Sequence, residues 1–160
     1  DGTQYMIVKI GQQVWMAENL NYQTRTSLCY EDVSSNCDKY GRLYDWKTAR
    51  KSCPPGWHLP SDDEWKVLEM QLGMSQSVAD VTGWRDTDEG SKLKSTTGWN
   101  NNGNGTNSSG FSVLPGGYRN TNGNFNNKGN NGNWWSATKP ISTKAWFYSV
   151  SLHPNLDRLV

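Results

Sequence analysis

The sequence predicts a single α+β domain over residues 1–160, in which two helices flank a twisted, mostly antiparallel sheet with long Asn- and Gly-rich loops. Three observations predict this fold class. Two stretches in the first half have helix caps, strand patterns occur near both ends, and residues 98–133 shift sharply to Asn and Gly. A chain of 160 residues is long enough for one hydrophobic core and short for two.

The first elements are a β-hairpin and a helix. Tyr5–Ile10 and Gln13–Met16 are rich in strand-forming residues and flank a Gly-Gln turn, which is typical of a hairpin. Asp45 is a suitable N-cap for a short helix that runs to Lys51. The helix stops before Pro54, because proline cannot continue it.

The second helix has the clearest start signal. Ser61 and Glu64 form a capping box, in which each side chain accepts a hydrogen bond from the backbone N–H of the other residue. Three apolar residues then fall on one face, Trp65, Leu68 and Leu72. Gly73 ends this helix, and a third short helix is expected over Ser75–Val81.

Residues 98–133 have a composition that is also found in low-complexity disorder. We expect an ordered, turn-rich region of small strands instead, because Phe111, Val113 and Tyr118 have strand-like spacing inside it. Asn and Gly also tolerate the positive φ of tight turns. The last predicted strand lies within Trp146–Leu152, where large and small side chains alternate.

Charge and hydropathy exclude two classes of partner. With 16 basic and 15 acidic residues the formal net charge is +1, so the chain lacks the basic face that nucleic acid requires. No apolar stretch approaches the roughly 18 residues of a membrane span, so no membrane insertion is expected. The first residues already resemble a strand, and a trimmed segment of this kind gives no information about a leader.

The three cysteines are Cys29, Cys37 and Cys53. Cys29 and Cys37 bracket a short polar loop, and a disulfide there would add roughly 2–3 kcal/mol by loop closure. Two free thiols in a reducing compartment are the alternative. Cys53 is then either free or paired with a residue beyond Val160. Zinc is not expected, because there is no CxxC and the two histidines lie far apart in sequence.

Three blocks of sequence carry a family resemblance. They are IGQQVWMAENLNY (10–22), YGRLYDWKTARKSCPPGWHLPSDDEWKVLE (40–69) and GFSVLPGGYRNTNGNFNNKGNNGNWWSAT (110–138). The chain resembles the Fibrobacter succinogenes major paralogous domain, a family of surface or secreted bacterial domains, over nearly its whole length. It is also similar to the C-type-lectin-like and formylglycine-generating-enzyme-like folds. In these folds a helix follows a Gly-Trp-x-Leu-Pro turn, and Gly-Gly-x-Arg and Trp-Ser strands lie in the central sheet.

The resemblance implies further properties. The domain is expected to be secreted or displayed on the bacterial surface. Family members usually end in a Val-Arg-Cys strand that this chain does not reach, so we expect a chain truncated at both ends relative to the family, with the absent cysteine as the partner of Cys53. The related formylglycine-generating enzymes act through late cysteines, and no matching pair follows Cys53.

The remaining catalytic and metal motifs are weak. Neither histidine is joined to a nucleophile and an acid as a hydrolase requires, so the domain is expected to be non-catalytic. Asp86, Asp88 and Glu89 are weak candidate Ca²⁺ ligands, because hard oxygen donors suit that ion. They lack EF-hand spacing, and a solvated acidic turn explains them better. No cofactor is expected.

Nine Trp, seven Tyr and three Phe beside 34% hydrophobic residues indicate a core built on large rings, with some rings left for the surface. Trp134 and Trp135 are neighbours in a predicted strand, so their rings point to opposite faces. One ring should enter the core beneath the Asn/Gly loops. The other faces solvent or a partner unless a loop covers it, and the sequence does not say which.

Asn amides, Gly backbone and flat rings together suit sugars, because rings stack on pyranose faces and amides bond to hydroxyls as donors and acceptors. The candidate ligand-binding residues are Trp99, Asn100, Asn101, Asn102, Asn122, Asn124, Phe125, Asn126, Trp134 and Trp135. The alternative is that these rings belong to the core and the asparagines form turns.

The sequence therefore predicts a non-catalytic extracellular binding module, with polysaccharide or glycan binding in cell-surface adhesion as its leading function. The second hypothesis is contact with another protein chain or self-assembly, because surfaces of Tyr, Trp, Asn and Gly also suit protein interfaces. Exposure separates the two. An open row of rings favours sugar, and rings or edge strands covered by another chain favour assembly.

Overall fold

The computed structural model describes residues 2–85, 88–139, 144–152 and 156–159, the last of these as backbone. It is a mixed α+β structure with short helices and small antiparallel sheets. The helices are α1 (Ser34–Tyr40), α2 (Trp46–Ser52), α3 (Asp62–Gln71), α4 (Gln76–Ala79) and α5 (Glu89–Leu93). The strands are β1 (Ile7–Ile10), β2 (Gln13–Met16), β3 (Gly83–Arg85), β4 (Tyr118–Arg119), β5 (Phe125–Asn126), β6 (Asn131–Trp135), β7 (Phe147–Ser151) and β8 (Leu156–Leu159).

The elements with strong local signals form as predicted. The hairpin is present as β1 and β2, with Ile10 opposite Gln13 at the turn. Helices α2, α3 and α4 coincide with the three predicted helices. The capping box of α3 is complete, because Ser61 Oγ accepts from the Glu64 N–H at 3.2 Å and Glu64 Oε2 accepts from the Ser61 N–H at 2.8 Å.

Two helices were missed by the sequence prediction. Helix α1 lies inside the loop bracketed by Cys29 and Cys37, and α5 begins at the acidic segment that was interpreted as a solvated turn. That interpretation is wrong for Glu89, whose residue is only 4% exposed. Helices of five to seven residues are too short for a 3.6-residue period to stand out, so local pattern could not find them.

The central sheet has four antiparallel strands in the order β3-β8-β7-β6. Strand β7 is the predicted C-terminal strand, and its Tyr148 lies opposite Trp134 of β6. Helix α3 follows the Gly-Trp-His-Leu-Pro turn, and β6 of the central sheet ends at Trp135, directly before Ser136. The Gly-Gly-Tyr-Arg segment differs, because β4 pairs with β5 in a separate two-stranded sheet.

The core is built on aromatic rings. Trp65 of α3 is stacked on Tyr148 at a centroid distance of 4.9 Å, and it lies 5.0 Å from Trp15 and 6.1 Å from Phe111. Rings of this size each bury roughly 150–250 Å², so a few of them supply most of a small core. The cluster joins the N-terminal hairpin, α3 and β7 into one apolar centre.

The Asn- and Gly-rich region is ordered by turns. Asn101, Asn102, Asn107 and Asn127 all adopt positive φ, which Asn tolerates better than most residues. Phe111 and Val113 are buried as the predicted spacing suggested, although Val113 forms only an isolated bridge to Lys94. None of the helices described has the length and apolar character needed to cross a bilayer.

Candidate functional site

An open cavity of about 490 Å³ lies where the Asn-rich loop meets α5 and the end of β7. Its lining residues are Ser91, Lys94, Asn101, Asn102, Gly103, Asn104 and Leu152. A volume of this size is within the range of roughly 300–1,000 Å³ that is common for small-molecule pockets. We call this cavity the Lys94 cavity.

Backbone hydrogen bonds attach the loop to α5 and the residues after it. The N–H of Gly105 donates to the Ser95 carbonyl at 3.0 Å, and the N–H of Thr106 donates to the Ser91 carbonyl at 2.9 Å. Further along, the N–H of Ser109 donates to the Lys92 carbonyl at 3.1 Å. The loop is therefore held as a fixed wall, although it contains no helix or strand of its own.

Two glycines allow the walls of the cavity to approach each other closely. A Cβ atom at Gly105 would lie 2.7 Å from the Lys94 carbonyl oxygen, and one at Gly103 would lie 2.7 Å from the Leu152 carbonyl oxygen. Both distances are shorter than side-chain carbons normally reach, so any other residue would push the loop outward.

Asn101 and Asn102 present unpaired amides at the cavity. Both residues are exposed, with φ of 49° and 59°, and neither side-chain amide forms a hydrogen bond within the part of the chain that the structure describes. The neighbouring Asn104 differs, because its Oδ1 accepts from the Trp99 N–H at 3.1 Å. The two free amides can therefore donate to and accept from a ligand.

Lys94 brings a positive charge to the same cavity. It is 2% exposed, and its ammonium donates to the carbonyl oxygens of Leu152 at 2.9 Å and Ser151 at 3.4 Å. The ammonium also lies 4.9 Å from the centre of the Trp99 ring. Burial lowers the pKa of Lys94 below its usual value.

Trp99 lies behind this cavity and does not line it. Its residue is 6% exposed and belongs to the apolar core, and its Nε1 donates to Ser95 Oγ and to the Val113 carbonyl, both at 3.2 Å. The ring therefore has no open face for a sugar. Its contact with the site is indirect, through the Lys94 ammonium.

The other asparagine candidates form hydrogen bonds within the fold, through side-chain amides in Asn100, Asn122 and Asn126 and through backbone groups alone in Asn124. Asn100 donates from Nδ2 to Asn130 Oδ1 at 3.1 Å, and Asn122 Oδ1 accepts from the Asn124 N–H at 3.1 Å. Asn126 donates from Nδ2 to the Asn124 carbonyl at 3.0 Å. These bonds stabilise turns in and around the β4–β5 hairpin, which is distinct from the Lys94 cavity.

The ring of Phe125 lies on that hairpin and contacts this chain. Its centroid is 5.1 Å from that of Tyr30, and the Arg119 guanidinium lies 5.7 Å from it. Phe125 is partly buried, so the hairpin carries a covered ring and not an open platform.

Trp134 and Trp135 contact different parts of the fold. Trp134 packs against the core, 6.4 Å from Trp65, and its Nε1 donates to Asn19 Oδ1 at 2.9 Å. Trp135 meets Phe147 edge to face at 6.0 Å, and its Nε1 donates to the Tyr44 carbonyl at 2.8 Å. Trp134 is thus the inner ring, and Trp135 is partly covered by its own chain.

Sequence reasoning therefore found two lining residues of the Lys94 cavity, Asn101 and Asn102, and missed the others. No local signal marks Lys94, because a single lysine between Leu93 and Ser95 resembles any surface lysine. Leu152 follows β7 and is far from Lys94 in sequence, so only folding brings the two residues together. The strand pattern within Trp146–Leu152 did not indicate that Leu152 lines a site.

The described residues contain no group of three or more His, Cys, Asp or Glu side chains arranged to hold a metal ion. Asp88 pairs with Lys92 at 2.9 Å and Glu89 is buried, while Asp86 lies outside the described residues. The predicted disulfide between Cys29 and Cys37 is confirmed, with a Cα–Cα distance of 4.9 Å.

Comparison with known proteins agrees with the motifs at these positions. The sequence profile of the Fibrobacter succinogenes major domain matches residues 8–156, which is nearly the whole chain. No curated protein and no solved structure matches the chain. The matched span includes both walls of the Lys94 cavity and the disulfide. This chain belongs to the Fibrobacter succinogenes major domain family.

Proposed function

We propose that the domain is a non-catalytic module that binds an extracellular polysaccharide and holds one sugar unit in the Lys94 cavity. The observation that carries this proposal is the pair of unpaired amides, Asn101 and Asn102, on the rim of an open cavity. Each amide offers donors and an acceptor, which is the combination that sugar hydroxyls require.

The opposite wall adds an apolar contact. The side chain of Leu152 lines the cavity, so one ligand face can meet a hydrocarbon surface while its edges meet amides and the Ser91 residue. Pyranose rings have this division between apolar faces and polar edges. The loop is already fixed to α5 by backbone hydrogen bonds, so binding costs little extra conformational entropy.

This site differs from the one that the sequence predicted. The candidate rings of Trp99, Trp134, Trp135 and Phe125 are buried or partly covered by the chain itself. These four rings therefore do not form an open row on which a sugar could stack. The proposal rests instead on the amides of Asn101 and Asn102 and on the side chain of Leu152. Sites of this kind select by hydrogen-bond geometry more than by stacking area.

We extend the proposal to location, fold and cofactors. The Cys29–Cys37 disulfide supports an oxidising, extracellular environment, since such bonds are rare in reducing compartments. The placement of α3 and β6 supports a C-type-lectin-like or formylglycine-generating-enzyme-like fold. Binding is proposed to need neither a metal nor any other cofactor, because the lining residues that the structure describes include no carboxylate or histidine.

The test is a pull-down of the purified domain on insoluble cellulose, xylan, chitin and cross-linked polygalacturonate. The variant Asn101→Gly/Asn102→Gly removes both amides and keeps a residue that accepts positive φ. Loss of two hydrogen bonds should weaken retention about tenfold or more on the bound polymer.

Asn127→Gly is the matched control, because Asn127 is also an exposed asparagine at positive φ, 61°, and lies outside the cavity. Equal retention of wild type, double variant and control on every polymer that binds would move the sugar site elsewhere. If the wild type is retained on no polymer, the polysaccharide proposal fails.

A different surface favours the second candidate function, contact with another protein chain. Met6 and Ile7 are 66% and 58% exposed, and a cleft of about 210 Å³ beside them is lined by Thr3, Tyr5, Ile7, Met16, Pro54, Pro55 and Trp57. Exposed apolar residues grouped in this way are common at protein interfaces. Self-association detected by light scattering, and lost in Ile7→Lys, would support assembly through this patch.

A further inference from the structure

The β1–β2 hairpin has an apolar outer face. In its antiparallel register Ile7 lies opposite Met16, and two residues further on Lys9 lies opposite Val14. Residues that are opposite each other, or two apart on one strand, share a face, so these side chains lie together on the face away from the buried Trp15. Ile7 is 58% exposed and Val14 is 50% exposed. The described part of the chain therefore leaves this face largely open.

The apolar face continues into a cleft. The cleft of about 210 Å³ begins at Ile7 and Met16 and extends away from the hairpin turn to Tyr5, with Pro55 and Trp57 in its lining. The lining residues that the structure describes include no charged side chain. Single exposed apolar residues are normal on a protein surface, whereas a group of them beside an apolar cleft is typical of an interface. We call the hairpin face and this cleft together the hairpin patch.

Two opposite charges lie at the two ends of the hairpin patch. Lys9 is two residues from Ile7 on the side of the turn, and Glu18 is two residues beyond Met16 on the other side. The Ala17 N–H still forms a hydrogen bond across the hairpin, so the pairing continues past Met16. With about 3.3 Å per residue, each charge is about 7 Å from the centre of the patch. Both residues are exposed, and neither forms an ion pair with a described residue.

This order of charges is complementary to itself. In a symmetric dimer, a two-fold axis that crosses the strands would bring the positive end of each patch to the negative end of the other. Lys9 of each copy would then lie diagonally opposite Glu18 of the second copy, and Val14 would lie over the second copy's cleft. An axis parallel to the strands would instead bring like charges together, which destabilises an interface.

We infer that the hairpin patch joins two copies of this chain into a symmetric dimer. Ile7, Val14 and Met16 form its apolar centre, and reciprocal Lys9–Glu18 ion pairs lie at its two ends. The inference rests on the second candidate function, contact with another protein chain, and names that chain as a second copy. Two strands of four residues and a cleft are smaller than the roughly 800 Å² per partner of a standard interface, so we expect a weak dimer.

The experiment is sedimentation velocity of the domain at protein concentrations from about 1 μM to about 1 mM, which covers weak association. The wild type should change from monomer to dimer within this range. Lys9→Glu and Glu18→Lys each replace two attractive contacts by two repulsive ones, so each should weaken dimerisation by about tenfold or more. Lys47→Glu is the matched control, because Lys47 is an exposed lysine on α2 outside the patch. It should dimerise like the wild type.

The two charge variants also test the reciprocal arrangement, because they complement each other. When they are mixed, a Lys9→Glu copy meets a Glu18→Lys copy through two ion pairs of reversed sign. The mixture should therefore dimerise about as well as the wild type, although neither variant does so alone. The double variant Lys9→Glu/Glu18→Lys should recover dimerisation for the same reason. Both residues are exposed, so thermal melts should show that every variant folds.

A wild type that stays monomeric over the whole range overturns the inference and leaves the polysaccharide proposal, which the pull-down tests, unaffected. A dimer that is lost in Ile7→Lys but unchanged by both charge variants overturns the symmetric arrangement and keeps the patch as a protein-binding surface. Mixed variants that fail to dimerise overturn the reciprocal ion pairs. A dimer that persists in Ile7→Lys removes the inference together with the second candidate function at this patch.

Discussion

Two buried cations in this protein have opposite surroundings. Arg85 is 3% exposed and forms an ion pair with Glu69, which is itself buried, and its guanidinium also lies 5.9 Å from the Tyr148 ring. Lys94 is equally buried and contacts carbonyls and a ring, and no carboxylate of the described residues forms an ion pair with it. The charge of Arg85 is therefore neutralised by a carboxylate inside the fold, whereas Lys94 lies at the wall of a cavity.

The Arg85–Glu69 pair yields a prediction about stability. Glu69→Met should destabilise the domain by about 3–5 kcal/mol, because it leaves a buried guanidinium without its carboxylate. The double variant Glu69→Met/Arg85→Met should be less destabilised than the single one, since no unpaired charge remains. Urea unfolding measures both. Glu31→Gln, which breaks the more exposed pair with Lys128, should change stability by less than about 1 kcal/mol.

A double variant at least as unstable as Glu69→Met would contradict this account. The destabilisation would then come from lost packing and not from the unpaired charge.

At the scale of single elements, the start of α3 is held by several hydrogen bonds between residues that are close in sequence. Ser61 and Glu64 bond to each other's backbone N–H groups, and Glu64 Oε1 also lies 2.7 Å from His58 Nε2. Burial alone would raise the pKa of the Glu64 carboxyl. Hydrogen bonds from the Ser61 N–H, His58 and the Ser61 hydroxyl outweigh it, so this pKa lies below its usual value of 4.5.

This lowered pKa predicts a pH dependence. A carboxyl whose pKa is lower in the folded state contributes stability in full above its unfolded pKa, and the contribution is lost as the pH falls through the folded pKa. The free energy of unfolding should therefore decrease as the pH is lowered below about 4.5. In Glu64→Gln this decrease should be smaller. Urea unfolding between pH 7 and pH 3 checks it, and parallel pH curves for the two proteins would refute it.

At the scale of the whole molecule, the Cys29–Cys37 disulfide bears on both the cellular compartment and the stability of the domain. It closes a sequence separation of 8 residues around α1 and the short 3₁₀ turn of Tyr30–Asp32. This segment also contacts the distant Asn/Gly region, because Lys128 pairs with Glu31 at 3.1 Å and its ammonium lies 4.7 Å from the Tyr30 ring. The bond therefore supports one side of the loop region as well as its own short loop.

Reduction of this disulfide should lower the free energy of unfolding by roughly 2–3 kcal/mol, because the unfolded chain regains the entropy that the cross-link removed. Thermal melts with and without a phosphine reductant measure the change, and mass spectrometry should show two hydrogens gained on reduction. Cys53→Ser is the control and should respond to the reductant like the wild type. Free thiols at Cys29 and Cys37 in the untreated protein would remove the argument for an oxidising compartment.

The parts of the fold that followed from the sequence depend on interactions between close neighbours in the chain. The capping box of α3 involves residues three positions apart, and the β1–β2 hairpin is set by its turn. The Cys29–Cys37 bond spans a short loop. In each case the geometry is fixed by a few consecutive residues, so the pattern of residue types is enough to predict the structure.

The Lys94 cavity depends on contacts that no local pattern contains. Asn101 and Asn102 were predicted as candidates from their composition, but their amides are free only because the loop packs on α5 without using them. Trp99 was a candidate for the same reason, and the fold buries it. Whether an amide or a ring is available depends on which distant segment covers it.

The sequence by itself determined the family, the main secondary structure, the disulfide and the turn-forming role of the asparagines, because each of these is encoded within short stretches. Only the tertiary structure decided which rings are covered and that Lys94 is buried beside a cavity. That cavity joins residues 91–94, 101–104 and 152. Burial and solvation of a charge depend on all the segments that fold around it, so no short stretch of sequence can predict them.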